Sequence, residues 1–162
     1  MRALLLSFGL CLAACTQQAA GEASAPAAAA ETAAVHPVSG LEVVPLTVTT
    51  PGGTAHRFRV EVARTPQEQS RGLMFRAEMD ADEGMLFPYQ QPQVLSFWMK
   101  NTVLSLDLVF IDAEHRVINI AANAEPYSET PILSAAPGVA VLEINGGRAA
   151  ELGIVTGSKV DW

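Results

Sequence analysis

The chain has 162 residues, 49% hydrophobic and 17% charged, enough for one sizeable core but short for two independent domains. Ten Lys and Arg stand against 17 Asp and Glu, giving a formal charge of -7 and a pI near 4.8. That balance repels phosphate backbones, no basic block offsets it, and no nucleic-acid partner is expected. After the first 15 residues no apolar run approaches the ~20 residues that a spanning helix needs.

Residues 1–14 carry one positive charge, a short apolar stretch and then small residues, the pattern of a bacterial secretory signal. Leu12-Ala13-Ala14-Cys15 resembles the lipobox of bacterial lipoproteins, which implies acylation of Cys15 and a lipid bilayer as partner. The competing reading is an ordinary signal peptide that happens to contain cysteines. Thr16, where an Asp would favour the inner membrane, points to the periplasmic face of the outer one. Neither cysteine lies beyond position 15, so the mature domain is expected to stand without disulfides and to run no thiol chemistry. From Ala19 to Ala34 there are ten alanines with Gly21 and Pro26 among them, so residues 15–40 read as a flexible spacer and 41–162 as the single folded domain.

From Leu41 the hydrophobic period is mostly two. Val43 to Thr49 and the alternating Phe58, Val60 and Val62 flank a Pro51-Gly52-Gly53 turn, which predicts a hairpin. Thr65, Pro66 and Glu68 form a capping-box signature for a short helix that Gly72 can end. Gly84 to Phe87 predicts a strand, Pro88 to Pro92 a loop, and Val94 to Lys100 a buried strand. Leu104 to Ile111 and Arg116 to Ala122 predict strands around an Asp112-to-His115 turn. Glu125 to Gly138 reads as a long loop, Val139 to Ile144 as a strand, Gly147 to Leu152 as one or two helical turns, and Lys159 to Trp162 as a last strand. Seven to eight short strands with one or two short helices predict a mainly β fold, a sandwich, jelly roll or barrel.

Several of these segments carry motifs: Gly72-Leu73-Met74-Phe75-Arg76, Gly84-Met85-Leu86-Phe87, Phe97-Trp98-Met99-Lys100-Asn101-Thr102, Leu106-Asp107, Phe110-Ile111-Asp112 and Val141-Leu142-Glu143. In order and spacing the chain resembles domain-of-unknown-function family 192 over roughly Phe58 to Trp162. The resemblance implies a compact, mostly β, often exported domain of jelly-roll or sandwich kind, and implies no activity. Ser105 replaces a usual proline and Ser158 a usual aspartate, which puts turn geometry in question.

The densest polar cluster within apolar sequence is Lys100, Asn101 and Asp107, with Glu143 as a further member. Charges among such strands are paired, wet or functional, because an unpaired buried charge costs several kcal/mol. Two readings stand: a structural Lys-Asp or Lys-Glu pair beside an Asn/Thr turn, or a pocket for a small polar ligand. Trp98 with Phe97 extends the second reading to a glycan stacked on an aromatic face, with Tyr89 and Tyr127 on loops nearby, while a core tryptophan is the plainer alternative. Asp107 and Glu143 could also serve as the acid/base pair of a small hydrolase, provided their separation suits it. No GxSxG, HExxH, phosphate loop or nucleotide fingerprint is present, and neither catalysis nor a cofactor is expected. His36, His56 and His115 lack ligand spacing, so no metal is expected from them. Met74, Met79, Met85 and Met99 are a Cu(I) candidate set, with core packing the favoured reading. The sequence thus predicts a lipid-anchored, non-catalytic binding or interaction module.

Overall fold

The computed structural model describes residues 34–162, so the signal segment, Cys15 and most of the spacer lie outside the described residues. The mainly β expectation holds, with ten strands and two short helices among the described residues. The strands are β1 (Ala34–Val35), β2 (Glu42–Thr49), β3 (Ala55–Val62), β4 (Glu83–Gln93), β5 (Ser96–Phe97), β6 (Leu106–Ile111), β7 (Val117–Ala124), β8 (Ile132–Leu133), β9 (Gly138–Asn145) and β10 (Lys159–Asp161). The helices are α1 (Pro66–Arg71) and α2 (Arg148–Glu151).

Eight strands form one sheet in the order β1-β2-β3-β4-β9-β6-β7, with β10 also paired to β2. A bridge between Arg116 and Lys159 draws the start of β7 towards β10, yet the sheet does not close into a barrel. β5 and β8 form a separate two-stranded ribbon.

Local chemistry explains the first half. Thr50 N–H donates to the Thr54 carbonyl at 2.9 Å across the Pro51-Gly52-Gly53 turn, setting the β2–β3 hairpin. The chain then crosses over, and β3 and β4 run parallel, which requires a long connection. The crossover holds α1, whose capping box is complete: Glu68 N–H donates to Thr65 Oγ1 at 3.2 Å, and the Glu68 carboxylate accepts from Thr65 N–H at 2.8 Å.

Three segments differ from the sequence reading. β4 runs through Pro88 and Pro92 where a loop was expected. β3 stops pairing with it at Leu86, and the register with β9 shifts between Pro88 and Gln93, so neither proline interrupts a full ladder. Val94 to Lys100, expected to be a buried strand, is a covering flap in which only Ser96 and Phe97 pair, with β8, while Val94 and Trp98 are exposed. β1 binds β2 seven residues ahead of the expected boundary at Leu41. Polar contacts to buried Glu61 hold the turn between these two strands: the Ser39 hydroxyl donates to its carboxylate, and His36 Nε2 lies 3.7 Å away. Arg76 completes this cluster at 2.8 and 3.0 Å. A reading based on core side chains does not register such an anchor.

Burial divides between the two faces of the sheet. One face carries Leu46, Val48, Phe58, Val60, Leu86, Val109, Ile111, Leu142 and Ile144, with Ala149 of α2 against them. The other carries Met85, Phe87, Leu106, Leu108, Phe110 and Val141, covered by the flap residues Leu95 and Met99. Successive side chains in a strand alternate between faces, so Asp107 and Glu143 fall on different ones: Asp107 is opposite Ile144 and Glu143 is opposite Leu108.

Candidate functional site

Asp107 is completely buried, and backbone donors occupy its carboxylate. Oδ1 accepts from Asn123 N–H at 2.8 Å and Gly147 N–H at 2.9 Å, and Oδ2 accepts from Ala149 N–H at 2.8 Å. It ties β6 to the end of β7 and to the first turn of α2, whose amides have no partners within the helix. No Lys100–Asp107 pair forms. Lys100 Nζ instead lies 3.8 Å from a Glu129 carboxylate oxygen and 5.0 Å from the centroid of the Trp98 ring.

Asn101 sits at φ 54°, and its carbonyl accepts from Phe75 N–H at 2.9 Å, so it shapes the flap and holds the loop after α1. The Asp107–Glu143 acid/base pair fails on topology, because the sheet separates the two side chains and Asp107 is completely buried among its backbone donors. Met85 is a core residue beneath the flap, Met99 is buried on the flap's inner side, and Met79 packs against the same cluster, as gap-filling methionines do. Among the described residues no group of three or more His, Cys, Asp and Glu is arranged to hold a metal ion.

Two of the expected residues do meet. Trp98 and Glu143 line one cleft of about 330 Å³, together with Phe87, Tyr89 and Phe97 and the Gly72-Leu73-Met74 segment that follows α1. Phe87 and Glu143 project from adjacent strands β4 and β9 to form its base. Phe97 packs edge-on against Phe87, with centroids 5.1 Å apart and planes at 85°. Trp98, 48% exposed, stands at the rim. One glycine makes room: a side chain at Gly72, where φ is +47°, would meet the Phe87 ring at 3.3 Å.

Glu143 is the anomalous group of the cleft. It is only 5% exposed, and no described residue gives its carboxyl a hydrogen bond or an ion pair. Loss of water alone therefore governs its titration, and burial pushes its pKa up to about 8. The Tyr89 phenol is also pushed up, first by burial and then by the charge of Glu143 beside it. Gln69 reaches the cleft but uses its amide N–H groups on the Ala63 carbonyl at 3.2 Å and the Pro88 carbonyl at 3.0 Å. Arg71, exposed at the mouth, is the remaining charge. The motif around Gly72 marks this wall in the sequence, but nothing in the sequence places it against β9. Tyr127 is exposed elsewhere on the flap side and does not line the cleft.

The model of domain-of-unknown-function family 192, described as an uncharacterized ACR, matches residues 47–162. The chain belongs to this family. A crystal structure of a protein of unknown function from Novosphingobium aromaticivorans is similar, with 57% identity and a TM-score of 0.79, over 82% of this chain and 94% of that one. A second, from Sinorhizobium meliloti and described as a candidate transcription regulator, has 36% identity and a TM-score of 0.73, over 75% of this chain and 94% of that one. A search of curated proteins finds no match.

Proposed function

We propose that this member of family 192 is a non-catalytic binding module that takes a small polar or glycan ligand in the cleft over Glu143. The observation that carries the reading is an ionisable side chain, buried and unpartnered, at the base of an open, aromatic-lined depression. Such a group costs stability in the empty protein, whereas a ligand that satisfies it recovers the loss. The cleft offers Glu143 no His, Cys or second carboxylate as a partner, while hydrolysis by general acid and base needs two groups. The Leu12-to-Cys15 run supports the further proposal that the module is held by lipid at the periplasmic face of a membrane, the outer one because Thr16 and not Asp succeeds the cysteine.

A thermal-shift screen of envelope metabolites and glycans against the wild type, Glu143→Gln and Trp98→Ala tests the binding reading. The expected result is a ligand that raises the melting temperature of the wild type and has little effect on either variant. Hits indifferent to both substitutions, or turnover that disappears with Glu143→Gln, would contradict it.

A further inference from the structure

We infer that the cleft is built for an organic ammonium ion, its positive head seated over the Glu143 carboxylate between the rings of Tyr89, Phe97 and Trp98. The inference rests on the binding reading above and names the chemical class of its ligand.

The base of the cleft carries one acidic group, nine-tenths or more buried and without a partner among the described residues, and four aromatic rings, those of Phe87, Tyr89, Phe97 and Trp98, line it. Aromatic faces attract cations through their quadrupole, and an ammonium withdrawn from water needs both such faces and a counter-charge. The rim already shows this preference, since the Lys100 ammonium lies 5.0 Å from the Trp98 centroid.

The other classes of ligand fit less well. An anion would enter the field of a chain of net charge -7 and would gain only the single donor of a protonated Glu143 at the base. Arg71 at the mouth is exposed, and water weakens its attraction. A bare metal ion would find one carboxylate where hard cations take six or more oxygens. A neutral sugar needs several side-chain donors and acceptors; the Gln69 amide is engaged with two carbonyls and the Thr102 hydroxyl donates to the Lys100 carbonyl at 3.2 Å, which leaves the hydroxyls of Ser70, Ser96 and Tyr89 to serve one.

Protonation accompanies binding. The groups facing Glu143 are Tyr89 on β4, whose own titration is pushed up, and the Arg71 guanidinium on α1, with the Lys100 ammonium beyond them at the Trp98 rim. In the empty cleft near neutrality Glu143 is mostly the neutral acid. When the ammonium enters, the carboxyl O–H bond breaks, its proton leaves to buffer, and a carboxylate–ammonium pair remains. Affinity should therefore rise on the order of 100-fold between pH 6 and pH 8.5, with close to one proton released per ligand at the lower pH.

Isothermal titration of the full chain with choline and with its neutral isostere 3,3-dimethyl-1-butanol, in buffers of different ionisation enthalpy, reads both quantities. A run with a neutral N-acetylglucosamine oligomer accompanies them. Expected are choline binding at least tenfold tighter than the isostere, the stated pH dependence and proton release, and loss of all three in Glu143→Gln, with Glu143→Asp retaining part. Equal binding of choline and the isostere, or binding of the glycan alone, each sensitive to Glu143→Gln, overturns the ammonium assignment and leaves the binding reading standing. Failure of all three probes overturns both.

Discussion

Replacing Glu143 by Gln keeps shape and volume and removes only the charge, so it isolates the cost of that carboxyl. An ordinary glutamate titrates at 4.5, and burial moves this one to about 8 in the folded protein. Below pH 4.5 both folded and unfolded states hold the proton, and there is no differential cost. Between 4.5 and 8 only the folded state holds it, so unfolding releases a proton and stability falls as pH rises; above 8 both states are charged and the full cost is present. The shift implies a cost of under ~1 kcal/mol at pH 5, ~3 at pH 7 and ~5 above pH 8. Glu143→Gln should therefore match the wild type near pH 4.5 and exceed it by ~3 kcal/mol at pH 7, a gain on the order of 10 °C in melting temperature for a domain of this size. Urea unfolding of both proteins at pH 5, 7 and 8.5 measures the difference directly. A difference that does not change with pH, or a variant less stable at pH 7, would refute the premise that Glu143 is buried without a partner.

Asp107→Ala leaves three backbone N–H groups without their acceptor, that of Ala149 buried and those of Asn123 and Gly147 part-buried, and chemical unfolding should show a loss of ~3–5 kcal/mol at neutral pH. Met99→Ala empties a core position on the inner side of the flap; it should cost ~2–5 kcal/mol in the same assay, with Cu(I) titration unchanged. A chain beginning at Leu41 lacks the Ser39 donor and the His36 ring beside Glu61, and loss of a hydrogen bond to a charged group should lower its stability by ~1.5–3 kcal/mol relative to one beginning at Ala34. Mass spectrometry of the native N-terminus should find acylated Cys15 as the first residue, and an unacylated chain beginning elsewhere would remove the lipid anchor from the account.

The mainly β class, the hairpin, α1 with its cap and the final strand are legible because each rests on local chemistry: alternation, a turn dipeptide, a capping box. The parallel pairing of β3 with β4 is not, since no residue spacing announces which strand a crossover returns to. The error at Val94 to Lys100 has the same root. Leu95, Phe97 and Met99 alternate inward as in a strand, but they cover a sheet that others complete. At the site, Trp98 and Glu143 are identifiable as chemically unusual, whereas the association of Asp107 with Lys100 assumes that nearness in sequence means a shared face. Asp107 lies one position out of phase with Leu108, the partner of Glu143, and that single step sends it to the other side of the sheet. Ser158, which stands where the family usually has aspartate, is fully buried and accepts from Val155 N–H at 3.0 Å, so a hydroxyl closes the turn there.

The claim that the cleft over Glu143 is the functional site is tested most directly by mapping bound ligands with NMR on the full chain, using a mixed set of ammonium, glycan and neutral polar fragments. The account predicts that the largest shift changes cluster on Tyr89, Phe97, Trp98 and Glu143 and vanish in Glu143→Gln. Changes centred on another surface, or unaltered by that substitution, would contradict it.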